Sequence, residues 1–439
     1  MSLYQLERER DLAELVETLR RSDDPAIRRR AAEIIGGIFE NDDVAESDIV
    51  LKDGSDGDPI LGAAGAGERE TVIDALVSSV KEDDAEGVRA AAIDALDHHG
   101  QESLERVVDE LADEDLASAA DWVAARAFAE VLDDGQPELR MAAATGLGRV
   151  GDPSVTAALV ERLSDPDSRV RARSAVACGR IGDPRAVEAL ESRLRGDPNI
   201  DVRAAAAEAL GEIGTEAALR VLLAADSDDS ESVRRVVADA LGQFGSVDPV
   251  DALVGYLEDE SETVRRTAMF SMVEILSNAP PQRSHDVREA AADRLGAATA
   301  DEVVPPLSEI LTESSGAPQR RNAAWLLGRV VGDEYESTAR GALLSALGDD
   351  DGMTAQFAAT SLTALDGPGL EADLLELVRD GDAEAEARSK ALFVLGKVGG
   401  DDARAALGEF VDRTDDDSLR EAAFSALSKL GGIGGGGGP

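Results

Sequence analysis

The chain has 439 residues, 43% hydrophobic but only 3% aromatic, with 90 Asp and Glu against 44 Lys and Arg and a formal net charge of −46. That balance excludes ordinary nucleic-acid binding, which draws its affinity from clustered Lys and Arg and loses it steeply at high salt. The single cysteine, Cys178, excludes an internal disulfide framework, and no apolar run approaches the ~18 residues that a membrane span needs.

In chain order, residues 1–39 read as a first helix pair. Leu6, Leu12, Leu15 and Leu19 mark one helix, and Ile27 to Phe39 the second. Glu7, Arg8, Glu9 and Arg10 supply the charged outer face of a stack-capping unit. Residues 1–30 lack the continuous apolar run of a signal peptide. Residues 40–66 break the pattern as an acidic, Gly-rich insertion around Asp53-Gly54-Ser55-Asp56-Gly57-Asp58-Pro59. A calcium loop needs D-x-[DN]-x-[DN]-G with a Glu at its twelfth position. Here Ser55 stands third and Ala64 twelfth, so no metal is assigned. Residues 68–100 resume the helical pattern, 101–120 form an irregular segment, and 121–132 (Trp122, Val123, Phe128, Val131) read as a helix.

The next stretch orders the whole chain. Asp165-Pro166-Asp167 leads into Val170-Arg171, an Ala-rich run follows, and the figure closes on Cys178-Gly179-Arg180-Ile181-Gly182. It returns from Val202-Arg203 to Gly214 and from Val233-Arg234 to Gly245. With the apolar residue before the Arg as position zero, copies start at Ile27, Val88, Leu139, Val170, Val202, Val233, Val264, Val287, Gln319, Thr354, Ala387 and Leu419. Most steps are 31 to 35 residues, a period that marks a repeat array. Positions 0, +4, +8 and +11 share one helix side. Gly at +9, in eight of the twelve copies, suits a tight crossing, and Gly at +12 stops the helix. Asp-Pro starts the next helix. One such helix cannot bury its stripe alone, and a stack can. Eleven of twelve copies carry Arg at +1, with Ala355 the exception. Arg140, Arg171, Arg203, Arg234 and Arg265 therefore read as a ladder reaching the Asp-rich turns of their own or the adjacent repeat. Taken as exposed pairs worth about 0–1 kcal/mol each, they set register rather than stability.

The 23-residue step from Val264 to Val287 is too short for a helix pair, and Ala279-Pro280-Pro281-Gln282-Arg283-Ser284 is not helix interior. One outer helix is read as missing there, with a kink that divides the solenoid into residues 1–278 and 284–432. The last helix is expected at 417–430, and residues 433–439 form a flexible glycine tail.

The Val170-Arg171 figure with Gly179-Arg180-Ile181-Gly182-Asp183-Pro184, and its copies, resembles the HEAT-repeat family, in particular the phycobilisome lyase HEAT-like subgroup. The resemblance covers roughly residues 5 to 432. It implies an all-α fold, a right-handed alpha-alpha superhelix of the HEAT/armadillo type with about 11–12 repeats. The acidity, with only five lysines (Lys52, Lys81, Lys390, Lys397, Lys429), resembles cytoplasmic proteins of archaea that hold molar salt. At ~1 M salt the Debye length is about 3 Å, so self-repulsion is screened. The opening Met1-Ser2-Leu3-Tyr4-Gln5-Leu6-Glu7-Arg8 resembles HEAT adaptors of such archaea. That likeness implies a non-enzymatic scaffold in taxis signalling, linking chemotaxis proteins to the archaellum motor in the cytoplasm.

The alternative is a HEAT-like lyase or metal-dependent hydroxylase. The hydroxylases carry repeated His-Glu pairs, but His98, His99 and His285 are the only histidines and none precedes a Glu. Nothing marks a catalytic group, cofactor, metal or small-molecule substrate. Cys178 occupies a helix-core position as an inert thiol. One row stands out at +10, where Arg149, Arg180, Arg329, Lys397 and Lys429 fall with His98. Stacking would align these cations as a ridge for an acidic partner protein, although cations at helix C-termini also favour the helix dipole. Trp122 and Trp325 read as core residues, or as interface anchors if half-exposed.

Overall fold

A computed structural model describes residues 3–47, 66–98, 103, 106, 121–133, 135–225, 227–332, 334–365 and 369–431. Among these residues there is no β-strand, and 24 α-helices account for most of the chain. The helices are α1 (Leu3–Glu9), α2 (Leu12–Arg21), α3 (Pro25–Ser47), α4 (Ala66–Glu82), α5 (Glu86–His98), α6 (Asp121–Val131), α7 (Pro137–Val150), α8 (Thr156–Arg162), α9 (Ser168–Ile181), α10 (Val187–Gly196), α11 (Ile200–Ile213) and α12 (Glu216–Leu223). They continue as α13 (Glu231–Gly242), α14 (Val250–Tyr256), α15 (Glu262–Asn278), α16 (Ser284–Leu295), α17 (Ala300–Glu313), α18 (Ala317–Val330), α19 (Glu336–Ser345), α20 (Gly352–Leu362), α21 (Leu370–Arg379), α22 (Ala385–Val398), α23 (Asp401–Arg413) and α24 (Asp417–Lys429).

The chain forms two compact units, Met1–Val221 and Leu222–Pro439. In the first, α3, α5, α7, α9 and α11 lie side by side, each also packed on the helix before it. In the second, α13, α15, α18, α20, α22 and α24 form the corresponding row. The position-zero residues Val170, Val202, Val233 and Val264 are fully buried, as are Cys178, Leu210 and Leu241 at +8. The link 279–283 lies inside the second unit. It joins α15 directly to α16, which packs against α14, α15 and α18.

Local chemistry explains the boundaries. Gly151 and Gly182 end α7 and α9 with φ of 71°, and the Gly182 N–H donates to the Cys178 carbonyl at 3.2 Å. Asp183-Pro184 then opens a short 3-10 turn before α10, with the Asp183 carboxylate accepting the Arg185 N–H. Two expectations need correction. The single helix expected through Leu6 and Leu19 is two helices, broken at Arg10, where φ is 52°. Asp11 caps the second by accepting the Glu14 N–H at 3.1 Å, and the Asp11-Leu12-Ala13-Glu14 spacing carried that signal. Helix α3 also runs on to Ser47, eight residues into the expected insertion. The calcium-like stretch from Asp53 to Ala64 lies outside the described residues.

The arginines at +1 do two things at once. Arg171 donates to the Asp165 carbonyl of its own turn at 2.9 Å and, through two nitrogens, to the Asp197 carboxylate of the next repeat at 2.8 Å each. Arg140 holds Asp165 in the same way at 2.8 Å, and Arg234 holds Asp259 at 2.7 and 3.0 Å. Arg28 with Asp83 and Arg320 with Asp349 repeat the geometry. Arg203 bonds its own Asp197 carbonyl at 2.9 Å. Arg265 bonds the Asp259 and Glu260 carbonyls of its own turn. These pairs are not the exposed ones that the sequence implied, since the Arg171 and Asp197 side chains are 11% and 0% exposed. Close packing of the turns over the inner helices removes the water that would screen them.

Candidate protein-binding face

The inner helices meet at the +9 glycines. A Cβ at Gly148 would stand 2.9 Å from the Ala177 Cα, one at Gly179 2.7 Å from the Ala209 Cα, and one at Gly396 2.9 Å from the Ala426 Cα. Each partner residue is at +7 of the next repeat, so one crossing geometry recurs. It sets part of the +10 row, where a +10 side chain lies over the preceding +9 glycine. Arg180 covers Gly148, Lys429 covers Gly396 and His98 covers Gly36.

The five cations at +10 are brought together only in part. Arg149 and Arg180 are neighbours in the first unit, where the next member of the row is Glu212. Surrounding protein and Glu208 raise the Glu212 carboxyl, while Arg180 pulls it the other way. In the second unit, Lys397 and Lys429 converge on one ring, their ammonium groups 4.8 and 5.0 Å from the Phe393 centroid. Arg329 stands over the Trp325 ring at 3.7 Å. Ala364 separates it from Lys397 in the row. The row therefore breaks into clusters.

The second unit's clusters are electrostatically unusual. Among the described residues, no carboxylate lies within ion-pair distance of Arg329, Lys397 or Lys429, and Lys390 bonds the Gln356 side-chain oxygen at 3.0 Å. Trp325 is half-buried rather than a core residue, because Arg329 from its own helix and Arg288 from α16 pack against it. The side chain of Trp122 lies outside what the structure describes, as does His99.

Arg288 was not singled out by its motif, yet it departs most from the ladder. Its Nη2 donates to Asn322 Oδ1 at 3.3 Å, while its buried Nε has no hydrogen-bond partner among the described residues. Burial and the charge of Arg329 both lower its pKa. The signal was present in the sequence: a carboxylate stands six residues before most of the ladder arginines, but Gln282 precedes Arg288, and Ser314 fills the place in the following turn.

Elsewhere on the second unit, Arg235, Asp239, Arg266, Phe270 and Glu309 line an open cleft of about 530 Å³ that Arg266 and Glu309 span as an ion pair. Phe270 is 37% exposed there. In the first unit, Arg169 and Arg173 of α9 reach past α7 to Glu86 and Asp94 of α5. Glu138 of α7 is sealed beneath them, accepting from Arg89 and Arg169 at 3.3 Å each. Cys178 is enclosed, and burial pushes its thiol up to about 12, so it is not a nucleophile at neutral pH. Among the described residues, no group of three or more His, Cys, Asp or Glu is placed to hold a metal ion. No helix among them is long and apolar enough to cross a membrane.

The model of HEAT repeats matches residues 125–199, 187–274 and 341–428. The chain belongs to the HEAT-repeat family. A HEAT repeat-containing taxis protein of Halobacterium salinarum is 44% identical over 433 residues, which covers 98% of this chain and 99% of the relative. Among solved structures, a chain from the complex of Kap95p with RanGDP is similar at a TM-score of 0.40 and 13% identity, covering 98% of this chain and 66% of that one. The HEAT repeats account for the all-α architecture and for the recurrent crossing at the +9 glycines. The haloarchaeal relative accords with the acidic, lysine-poor composition.

Proposed function

We propose that this protein is a non-enzymatic scaffold in taxis signalling, and that the inner-helix cations dock a partner protein. On this reading it works in a salt-rich cytoplasm and links chemotaxis proteins to the archaellum motor. The taxis assignment rests on the haloarchaeal relative, which is named for taxis and runs the length of the chain. The docking assignment is carried by one observation. In a chain of net charge −46, Arg329, Lys397 and Lys429 have no carboxylate partner among the described residues and rest on aromatic rings. Ordinary surface arginines of this protein find a carboxylate, as Arg29 does with Glu33 and Arg195 with Glu191. Cations left on aromatic platforms present both charge and apolar area to a partner, the combination found at interface hot spots.

The test is affinity capture from the native host in molar KCl with the full chain and two charge-reversed forms. One carries Arg149→Glu and Arg180→Glu, the other Arg329→Glu, Lys397→Glu and Lys429→Glu. The unaltered chain should recover chemotaxis proteins, and the second variant should lose them while keeping its helical circular dichroism. Recovery of the same partners by both variants would exclude the row as the docking site. Loss of capture by the first variant alone would move the site to the first unit.

A further inference from the structure

The missing rung at Arg288 has a use. In the regular repeats each +1 arginine is bonded to its own turn, and in most of them to a carboxylate of the next. Helix α16 follows α15 directly and lies beside the inner row rather than in it, and the turn that would supply the first contact is Pro280-Pro281-Gln282-Arg283. The turn that would supply the second is Ser314-Ser315-Gly316. Arg288 is thus a ladder arginine without a ladder. It is held instead by Asn322, whose Nδ2 is fixed by the Ser277 hydroxyl at 2.9 Å and the Val273 carbonyl at 3.3 Å. Among the described residues its Nη1 has no hydrogen-bond acceptor, and its guanidinium carbon lies 6.0 Å from the Trp325 centroid. Arg329, at 3.7 Å from the same ring, brings a second guanidinium to the site.

We infer that Arg288, Trp325 and Arg329 form an anion clamp that takes a carboxylate side chain from an acidic segment of a partner protein. This deepens the docking reading above and rests on it for the identity of the face. Two guanidiniums held on one indole repel each other, and a ligand carboxylate between them relieves that repulsion while replacing the missing rung. Guanidinium matches carboxylate geometry through paired N–H donors. Charge complementarity favours an acidic occupant, since the clamp is cationic on an otherwise acidic surface. At ~1 M salt the long-range repulsion between two acidic proteins is screened within about 3 Å. Contact hydrogen bonds and ring packing persist at that range, so recognition at this point is short-range.

Trp122→Phe in the full chain leaves Trp325 as the sole tryptophan and makes its emission a reporter. The probe is capped hexaglutamate in 1 M KCl, with capped hexaserine, potassium acetate and potassium phosphate as controls. A saturable change in emission with hexaglutamate, weakened about ten-fold in Arg288→Gln and in Arg329→Gln, is the expected result. No saturable change, or equal affinity in both variants, overturns the clamp. A response to phosphate or acetate at the same carboxylate or phosphate concentration overturns the acidic segment as its occupant. Arg329 is exposed, so Arg329→Gln keeps the test meaningful even if Arg288→Gln disturbs α16. Arg288→Gln also separates this inference from the docking reading, because it lies outside the +10 row. Undiminished capture of host partners by Arg288→Gln, with capture lost in the Arg329, Lys397 and Lys429 reversal, would sink the clamp and leave the docking face standing.

Discussion

At the scale of the residue, Asp197 concentrates the forces that hold one repeat to the next. Its carboxylate accepts two nitrogens of Arg171 and the N–H of Asn199, while its own carbonyl accepts Arg203. Burial works against its ionisation, but the Arg171 hydrogen bond and the turn N–H outweigh that and hold it below the ordinary carboxylate value. Asp83, with Arg28 and the Ala85 N–H, is in the same state. A carboxylate with a depressed folded pKa contributes stability above the unfolded value near pH 4 and loses it as the pH falls through the folded value. Asp197→Asn should therefore lower unfolding free energy at pH 7 by about 3–5 kcal/mol, because it leaves the Arg171 charge buried without its partner. It should also flatten the acid limb of the stability profile below about pH 4. Urea unfolding of both forms across pH, followed by circular dichroism, checks the two together. A parallel acid limb would mean that Asp197 does not carry the linkage.

At the scale of the element, the crossing of inner helices depends on a missing side chain. Gly179 lies against the backbone of Ala209, and a Cβ there would stand 2.7 Å from the Ala209 Cα. The obstacle is main chain, so no rotamer change relieves it. Gly179→Leu should push α9 from α11 and destabilise the first unit by about 1–3 kcal/mol or more. The same change at Gly196, the last residue of α10, meets nothing within 4 Å and should be mild. Thermal melts of the two variants in molar KCl compare them, and equal losses would contradict the assigned crossing. Helix α16 illustrates the converse. It carries the repeat figure with Val287 fully buried, but it lies outside the inner row, and its arginine meets a tryptophan instead of an aspartate.

At the scale of the whole molecule, the charge of −46 and the buried ladder respond to salt in different ways. Exposed carboxylates repel over a Debye length of about 10 Å at 0.1 M salt and about 3 Å at 1 M. Pairs such as Arg171 with Asp197, almost closed to water, are screened much less. The melting temperature should rise by on the order of 10 °C between 0.1 and 2 M KCl. The difference between the unaltered chain and Asp197→Asn should stay nearly constant over that range. Melts at several KCl concentrations test both points. A melting temperature that falls with salt would place the dominant electrostatic term in the pairs rather than in surface repulsion.

Period, helix ends and charge were legible in the residues alone, because each depends on chemistry within a turn or two. Valine before arginine marks position zero, glycine at +12 takes the left-handed backbone at Gly151, Gly182, Gly214 and Gly431, and the surplus of carboxylates acts through solvent wherever the chain runs. Burial and partnership were not legible. The depth of the Arg171 pair, the exposure of Trp325 and the isolation of Arg288 depend on which turn lies against which helix some thirty residues away. The same Val-Arg text reads identically at Val170 and Val287. Only packing decides that one arginine meets an aspartate out of reach of water and the other meets an indole and a second arginine.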